Sequence, residues 1–345
     1  MLIITRRSLL ASAPTALLLS TAWIGVRAQA PLKQVRFAVE FAWEGNHAIY
    51  TLAQDLGYFA LEKLEVSIDR GYGAGNNMTK LAAGSLDIAI VDPNLLPKFN
   101  REQPTNQLIS FFIVYDASPS AVIYLKSSGI QSPKDLEGKS IAVTEGTTPA
   151  MLFPVFAKIN GIDASKVTVL GVNAQLRDSM VIQKSADASI GFLTTSVPNI
   201  VSTGVPVTDI GYLQYNKYGL ELYSLGLVCR KNYAEENPAV LRGFVKAVIK
   251  GARNMLTSPE QAIASVKKRD GLLKDEIELV RMKLMNEMAL LTPHVRQNGM
   301  SSVDRERFEQ SVGLVASASG APVTPKMEDI YTDKFLPPKE DLLIN

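Results

Sequence analysis

Seven residues, Phe41-Ala-Trp-Glu-Gly-Asn-His47, place an aromatic ring, an acid and an imidazole between a strand-period segment and a helix-period one. Trp43 is the one tryptophan beyond residue 30. Its ring can stack on a flat ligand for about 0.5–1.5 kcal/mol beyond burial, or face a cation for about 0.5–2 kcal/mol. The neighbours Glu44, Gly45 and Asn46 are poor core material, which favours a cleft position over a core one. His47 opens the following helix, where a neutral imidazole either bonds toward a crevice or is satisfied by backbone. A second segment, Gly71-x-Gly73-x-x-Asn76, follows a strand and opens a helix. It lacks the third glycine of a dinucleotide fingerprint and the Gly-Lys-Ser/Thr of a phosphate loop. Two readings stay open: close backbone approach to a small ligand, with Asn76 or Asn77 beside it, or a tight turn at positive φ. Further polar turns carry Asp92, then Glu145, Thr147 and Thr148, then Asn173. Glu145 faces the cleft or caps a helix start. Around these turns Glu44, Asp92, Glu145 and Asp178 outnumber the single base Arg177, beside the aromatics Trp43, Tyr72 and Tyr115. That balance favours a flat, neutral or cationic ligand over a small anion, whose charge each nearby carboxylate would repel.

Catalytic and metal chemistry find little support. The chain has two histidines, in separate segments, and one cysteine, so neither a zinc site nor an internal disulfide is expected. No Gly-x-Ser-x-Gly elbow or metal-binding histidine pair occurs, and no cofactor is called for. With 345 residues, 46% hydrophobic and 20% charged, the chain can build two packed cores and is not a disordered or collagen-like sequence. The formal charge of +2 resides at the start. Residues 1–30 hold Arg6, Arg7 and Arg27 and no acid, which leaves 33 basic against 34 acidic residues beyond them. Composition therefore gives no case for nucleic acid or an anionic membrane surface. The same thirty residues run from Thr5-Arg6-Arg7-Ser8-Leu9-Leu10 through a short apolar stretch to Ala28-Gln29-Ala30. This is the layout of a cleaved export signal, twin-arginine-like although Leu9 stands where Phe is usual. A protein soluble outside the cytoplasm and starting near Pro31 follows from it; the expected location is the periplasm and the expected state a monomer.

The polar turns are positioned by a recurring order of elements. Gln34 to Val39 alternates as a strand, His47 to Leu56 reads as a helix, and Leu64 to Ile68 as a strand. Asn76 to Ala83 is a short helix and Asp87 to Val91 a strand. The order returns with a strand at Lys139–Val143, a helix from Pro149 to Asn160, a strand at Val167–Val172, a helix at Gln175–Lys184 and a strand at Ala188–Phe192. Two β-α-β-α-β runs predict two α/β lobes with mainly parallel sheets, whose carboxyl-end loops share a crevice. After Cys229 the pattern turns helical, with Asn237-Pro238 and Ser258-Pro259 as starts. Further helical stretches are read at about Lys274–Leu290 and Ser302–Ala316.

In this order the chain resembles the periplasmic solute-binding proteins of ABC importers, in the branch for nitrate, sulfonates, taurine and thiamine pyrimidine precursors. The resemblance rests on Phe41 to His47 followed by Leu56-Gly-Tyr-Phe59, then Ala83-Gly-Ser-Leu-Asp-Ile-Ala89. Ser132 to Val143 and Glu236-Asn-Pro-Ala-Val240 add to it. It implies a two-lobed α/β fold of type II. Residues 31–117 with 226–345 would form lobe 1, residues 118–225 lobe 2, and the helical C-terminal third would pack on lobe 1. Two crossovers, near 118–124 and 222–228, would join them. It also implies a small-molecule ligand, an importer permease as membrane partner, and peripheral contact with that transporter only. The expected ligand set is Trp43, His47, Gly73, Asn76, Asp92, Glu145, Thr147, Thr148 and Asn173. A thiamine-precursor-like pyrimidine fits the acid balance, with a sulfonate or a receptor-docking sensor as alternatives. The wider superfamily holds a pyrimidine-synthesising enzyme with a cysteine-rich iron-binding phrase, which one cysteine cannot supply.

Overall fold

The computed structural model describes residues 31–318 and 325–344; the export signal read in residues 1–30 lies outside them. Two five-stranded sheets carry the chain. The first uses β1 (Lys33–Ala38), β2 (Leu64–Asp69), β3 (Ile88–Val91) and β4 (Leu108–Tyr115). The second uses β5 (Ser120–Leu125), β6 (Ser140–Val143), β7 (Thr168–Gly171), β8 (Ala188–Phe192) and β9 (Ile210–Gln214). The chain then returns to the first sheet as β10 (Ser224–Arg230), giving the orders β2-β1-β3-β10-β4 and β7-β6-β8-β5-β9. In each sheet three strands are parallel and the strand beside them, β10 or β5, is antiparallel. β4 and β9 pair antiparallel to β10 and β5 in turn, so four of the five strands of each sheet run one way, as expected, and the one joining strand, β10 or β5, runs against them.

Alternation in β1 explains its place. Val35, Phe37 and Val39 enter one core with Tyr50 and Phe244, while Ala38 enters a second core on the other face. Helix Pro238–Thr257 supplies Phe244, whose ring meets Phe37 at 5.1 Å. The late helices Pro259–Lys267 and Asp275–Met285 lie on the same side, but Phe308 and Val312 of helix Arg305–Ala318 share the second core with Phe156 of helix Thr148–Ile159. The helical C-terminal third thus also reaches the second sheet's helices. A π-helical turn, Asn286–Leu290, ends the helix beginning at Asp275.

Helix Ala48–Asp55 is tied to helix Pro259–Lys267 through Asp55, which accepts from Ser265, Lys268 and Arg269 at 2.8–3.0 Å. Partial burial raises its pKa, but these donors prevail and hold it at about 2, against 3.8. A depressed carboxylate contributes stability above its unfolded pKa and loses it as pH falls through the folded one. Asp55→Asn is expected to cost about 1–2 kcal/mol at pH 7, discounted for solvent screening. In urea titrations the gap from wild type should narrow below pH 3.8 and close near pH 2.

Candidate functional site

The site is built where loops after β1, β2, β6 and β8 meet. Gly71 crosses the end of β1 so closely that a Cβ would sit 2.1 Å from the Val39 carbonyl oxygen. Gly73, at φ +102°, occupies a conformation essentially reserved for glycine. A Cβ there would lie 2.9 Å from the Gly146 carbonyl oxygen, and the Gly75 N–H donates to that same oxygen at 3.1 Å. The glycine turn of the first half is thus seated on the Thr144–Thr148 turn of the second.

A small inner chamber of about 40 Å³ opens beside this seat. Phe41, Pro149 and Phe192 give it apolar walls, and Thr147, Thr148 and Thr195 bring hydroxyls. Its two charged residues are Glu40 and Arg177, one from each half. The Thr147 hydroxyl bonds to the Thr144 carbonyl at 2.8 Å and leaves the start of helix Thr148–Ile159 without a side-chain cap. Phe41 also borders a wider outer groove of about 620 Å³, walled by Trp43, Tyr72, Asn173, Ile277 and Arg281 among others.

Behind the walls, polar groups fix one another. His47 is buried; its Nδ1 accepts the Glu44 N–H at 3.1 Å, which makes Nε2 the protonated nitrogen of the neutral ring, 3.2 Å from Glu40 Oε1. Arg281 spans the halves. It pairs with Glu278 at 2.9 Å and Glu44 at 3.4 Å, and donates to the Thr194 carbonyl at 2.9 Å, the Thr195 carbonyl at 3.2 Å and Asn199 Oδ1 at 3.1 Å. Helix Leu193–Val201 explains why a carbonyl waits there: Pro198 has no N–H to return to Thr194, four residues earlier. The Thr195 hydroxyl donates to Glu44 at 3.0 Å, a second tie between halves. Leu284 and Met288 add apolar contact to the cluster holding Val197 and Ile200. Burial raises the Glu44 pKa, opposed by Arg281 and His47.

The structure brings Gly73, Thr147 and Thr148 to the inner chamber, and Trp43 and Asn173 to the outer groove. His47 lines neither space and positions Glu40 instead. Three more of the expected ligand residues, Asn76, Asp92 and Glu145, also stand apart from both. Helix Ala74–Ala82 starts two residues earlier than its sequence suggests, so Asn76 is exposed, and buried Asn77 bonds the Val39 and Ile90 carbonyls at 3.0 Å. Asp92 is fully buried, accepting from Ser224 at 2.6 Å and from the Asn94 backbone at 2.9 Å; burial raises its pKa to about 6. Glu145 is exposed and caps no helix. Among the aromatics, Tyr115 is buried, and the exposed Tyr72 already carries Arg70 4.8 Å from its ring centre. Sequence reasoning missed Glu40, Phe192, Thr195 and Arg281. A polar residue closing the β1 alternation was the one local signal, for Glu40.

Residues 44–262 match the family described as NMT1/THI5 like, more than half of the chain. This chain belongs to the NMT1/THI5-like family. The family match covers the Trp43 loop from Glu44 onward, both glycine-loop walls and helix Leu193–Val201. Similar members include the formylaminopyrimidine-binding protein of Halalkalibacterium halodurans, 25% identical over 67% of this chain and 69% of that one. The riboflavin-binding protein RibY of Chloroflexus aurantiacus is 23% identical over 90% and 88%. A 4-amino-5-hydroxymethyl-2-methylpyrimidine phosphate synthase of Legionella pneumophila is 22% identical over 87% and 92%. In fold, the NMT1/THI5-like chain is similar to the alkanesulfonate-binding protein SsuA of Xanthomonas axonopodis pv. citri, with TM-score 0.64, 13% identity, and 88% and 100% of the chains covered. The two-lobed binding-protein architecture is therefore the fold of this chain. None of its described helices is long and apolar enough to cross a membrane.

Proposed function

We propose that this chain is the extracytoplasmic solute-binding protein of an ABC importer and that it holds a small, flat, neutral or cationic molecule of pyrimidine type between two lobes. The observation that carries the reading is a cleft lined by loops of both halves, in which a small inner chamber with a carboxylate, Glu40, on its wall meets a wider outer groove at Phe41. The proposed lobe boundaries, 31–117 with 226–345 and 118–225, agree with the strand membership of the two sheets except at Ser224 and Leu225, which already belong to β10 of the first sheet. Ligand that touches both halves binds the closed form better than the open one, and that difference drives closure. A micromolar dissociation constant needs about −8 kcal/mol, within reach of a ring between apolar walls and a few oriented hydrogen bonds.

Charge argues against the sulfonate reading. Within the inner chamber Arg177 is paired with Asp178 and is no free counter-charge, while Glu40, held by His47, brings a carboxylate; the cations Arg70 and Lys274 line only the outer groove. The reading is non-catalytic. The lone thiol, Cys229, is buried in β10 and lines neither space. A 4-aminopyrimidine, taurine and an alkanesulfonate, each titrated against purified protein, test the ligand class. Ligand at about 100 times its dissociation constant adds about 2.7 kcal/mol to stability. The aminopyrimidine should raise the melting temperature and be recovered unchanged. A shift with taurine or the sulfonate alone would reverse the charge argument, and a recovered product would make the chain an enzyme.

A further inference from the structure

We infer that Arg307 is a hinge clamp: one guanidinium grips both segments that join the halves, so the angle between them holds until one of its contacts breaks. The inference concerns the motion of the two lobes and stands whatever the ligand is. Residues 116–119 join β4 to β5, and residues 215–223 join β9 to β10. The two segments meet where the Ser118 N–H donates to the Leu222 carbonyl at 3.0 Å. A rotation of one lobe on the other is absorbed by the few residues of such joining segments. Arg307, in the first turn of helix Arg305–Ala318, lies across both. Its Nη1 donates to Asp116 Oδ1 at 3.1 Å and its Nη2 to the Asp116 carbonyl, while its Cζ stands 4.0 Å from the ring centre of Tyr223.

Each gripped residue is itself anchored. The Asp116 N–H donates to the Ala289 carbonyl of the π-helical turn at 2.9 Å, and the Thr292 hydroxyl donates to Asp116 Oδ2 at 2.5 Å. The Tyr223 hydroxyl accepts the Asp304 N–H at 2.9 Å, and Asn94 donates to the Tyr223 carbonyl at 2.6 Å. A guanidinium is planar and presents its donors as a rigid fork. It cannot follow a twist of Asp116 relative to Tyr223 and keep both the fork on one and the flat face on the other. One residue further on, Phe308 packs in the core that also holds Phe156 of helix Thr148–Ile159. Thr148 and Pro149, at the start of that helix, wall the inner chamber. The chamber wall and the clamp therefore share one packed core.

Spin labels attached through Glu102→Cys and Gln183→Cys, exposed positions in the two halves, read the angle in the ligand-free full-length protein by electron–electron distance measurement. Cys229 is buried and takes no label. With Arg307 intact the labels should give one narrow distance distribution. Arg307→Leu should add a second population of about a tenth of the molecules or more. Arg307→Lys keeps a charge beside Asp116 but has no plane to lay on the ring, so it should add the same population and serves if the leucine variant does not fold. Tyr223→Phe keeps the ring and should leave the distribution narrow. Asp55→Asn, which loses stability without touching the hinge, should leave it narrow as well. Two populations already present with Arg307 intact, one narrow distribution in both Arg307 variants, or the same second population in Asp55→Asn would each overturn the clamp.

Discussion

Arg281→Met is expected to cost the closed protein about 3–5 kcal/mol, the usual consequence of removing one partner from a buried charge cluster. Two carboxylates, Glu44 and Glu278, would be left buried without their cation, although Gly45 N–H still donates to Glu278 at 2.6 Å. The Thr194 carbonyl would lose its donor as well, in a helix where Pro198 supplies none. The loss falls on the joined halves, so two measurements read it: a lower urea midpoint, and an expanded small-angle scattering profile without ligand. Adding Glu44→Gln and Glu278→Gln to Arg281→Met should recover a large part of the stability, because the uncompensated charges go. A loss below about 1 kcal/mol, or no recovery on neutralising the acids, would show that this cluster does not hold the halves together.

Gly73→Ala should damage binding more than folding. At φ +102° an alanine is strained by about 1–3 kcal/mol whether or not the halves meet. Contact of its Cβ with the Gly146 oxygen, 2.9 Å away, arises only when they do. The variant should therefore bind an aminopyrimidine more than tenfold more weakly while its melting temperature falls by the smaller amount that backbone strain alone explains. Gly57→Ala is the control: it too sits at positive φ, +72°, with nothing within 4 Å of the added carbon, so it should lose stability and keep its affinity. Equal affinities of the two variants would mean that the glycine seat plays no part in capture.

Much of the scaffold was legible because its elements are locally consistent. The strand at Ala188–Phe192 was read at its observed bounds, and helix Pro238–Thr257 was marked by an asparagine and a proline at its start. The β1 alternation places Phe37 and Ala38 on opposite faces, as period two requires. Helix Leu193–Val201 was not legible. Its sequence is rich in Thr and Val and contains a proline, all poor helix formers, and it is held by partners that come from distant segments. Asp92 misled for the same non-local reason: Ser224, its 2.6 Å donor, lies 132 residues away. The Asn76 error was one of helix phase, since a start two residues earlier turns Asn77 inward. Arg281 was one charge among several on its helix, and nothing in its own segment distinguishes it from its exposed neighbour Lys283.

Pro198 sets a limit on how the halves can come together. A regular helix offers a sliding guanidinium a row of equally occupied rungs, none better than the next. Here one rung is bare, and the side chain that fills it also grips Asn199 one face away. Displacement by a single turn would leave the bare rung unserved and take from the cation its carbonyl and Asn199 partners on that helix. The gap left by the imino acid therefore acts as a notch, and the two bodies have one registry in which they can settle around whatever lies between them.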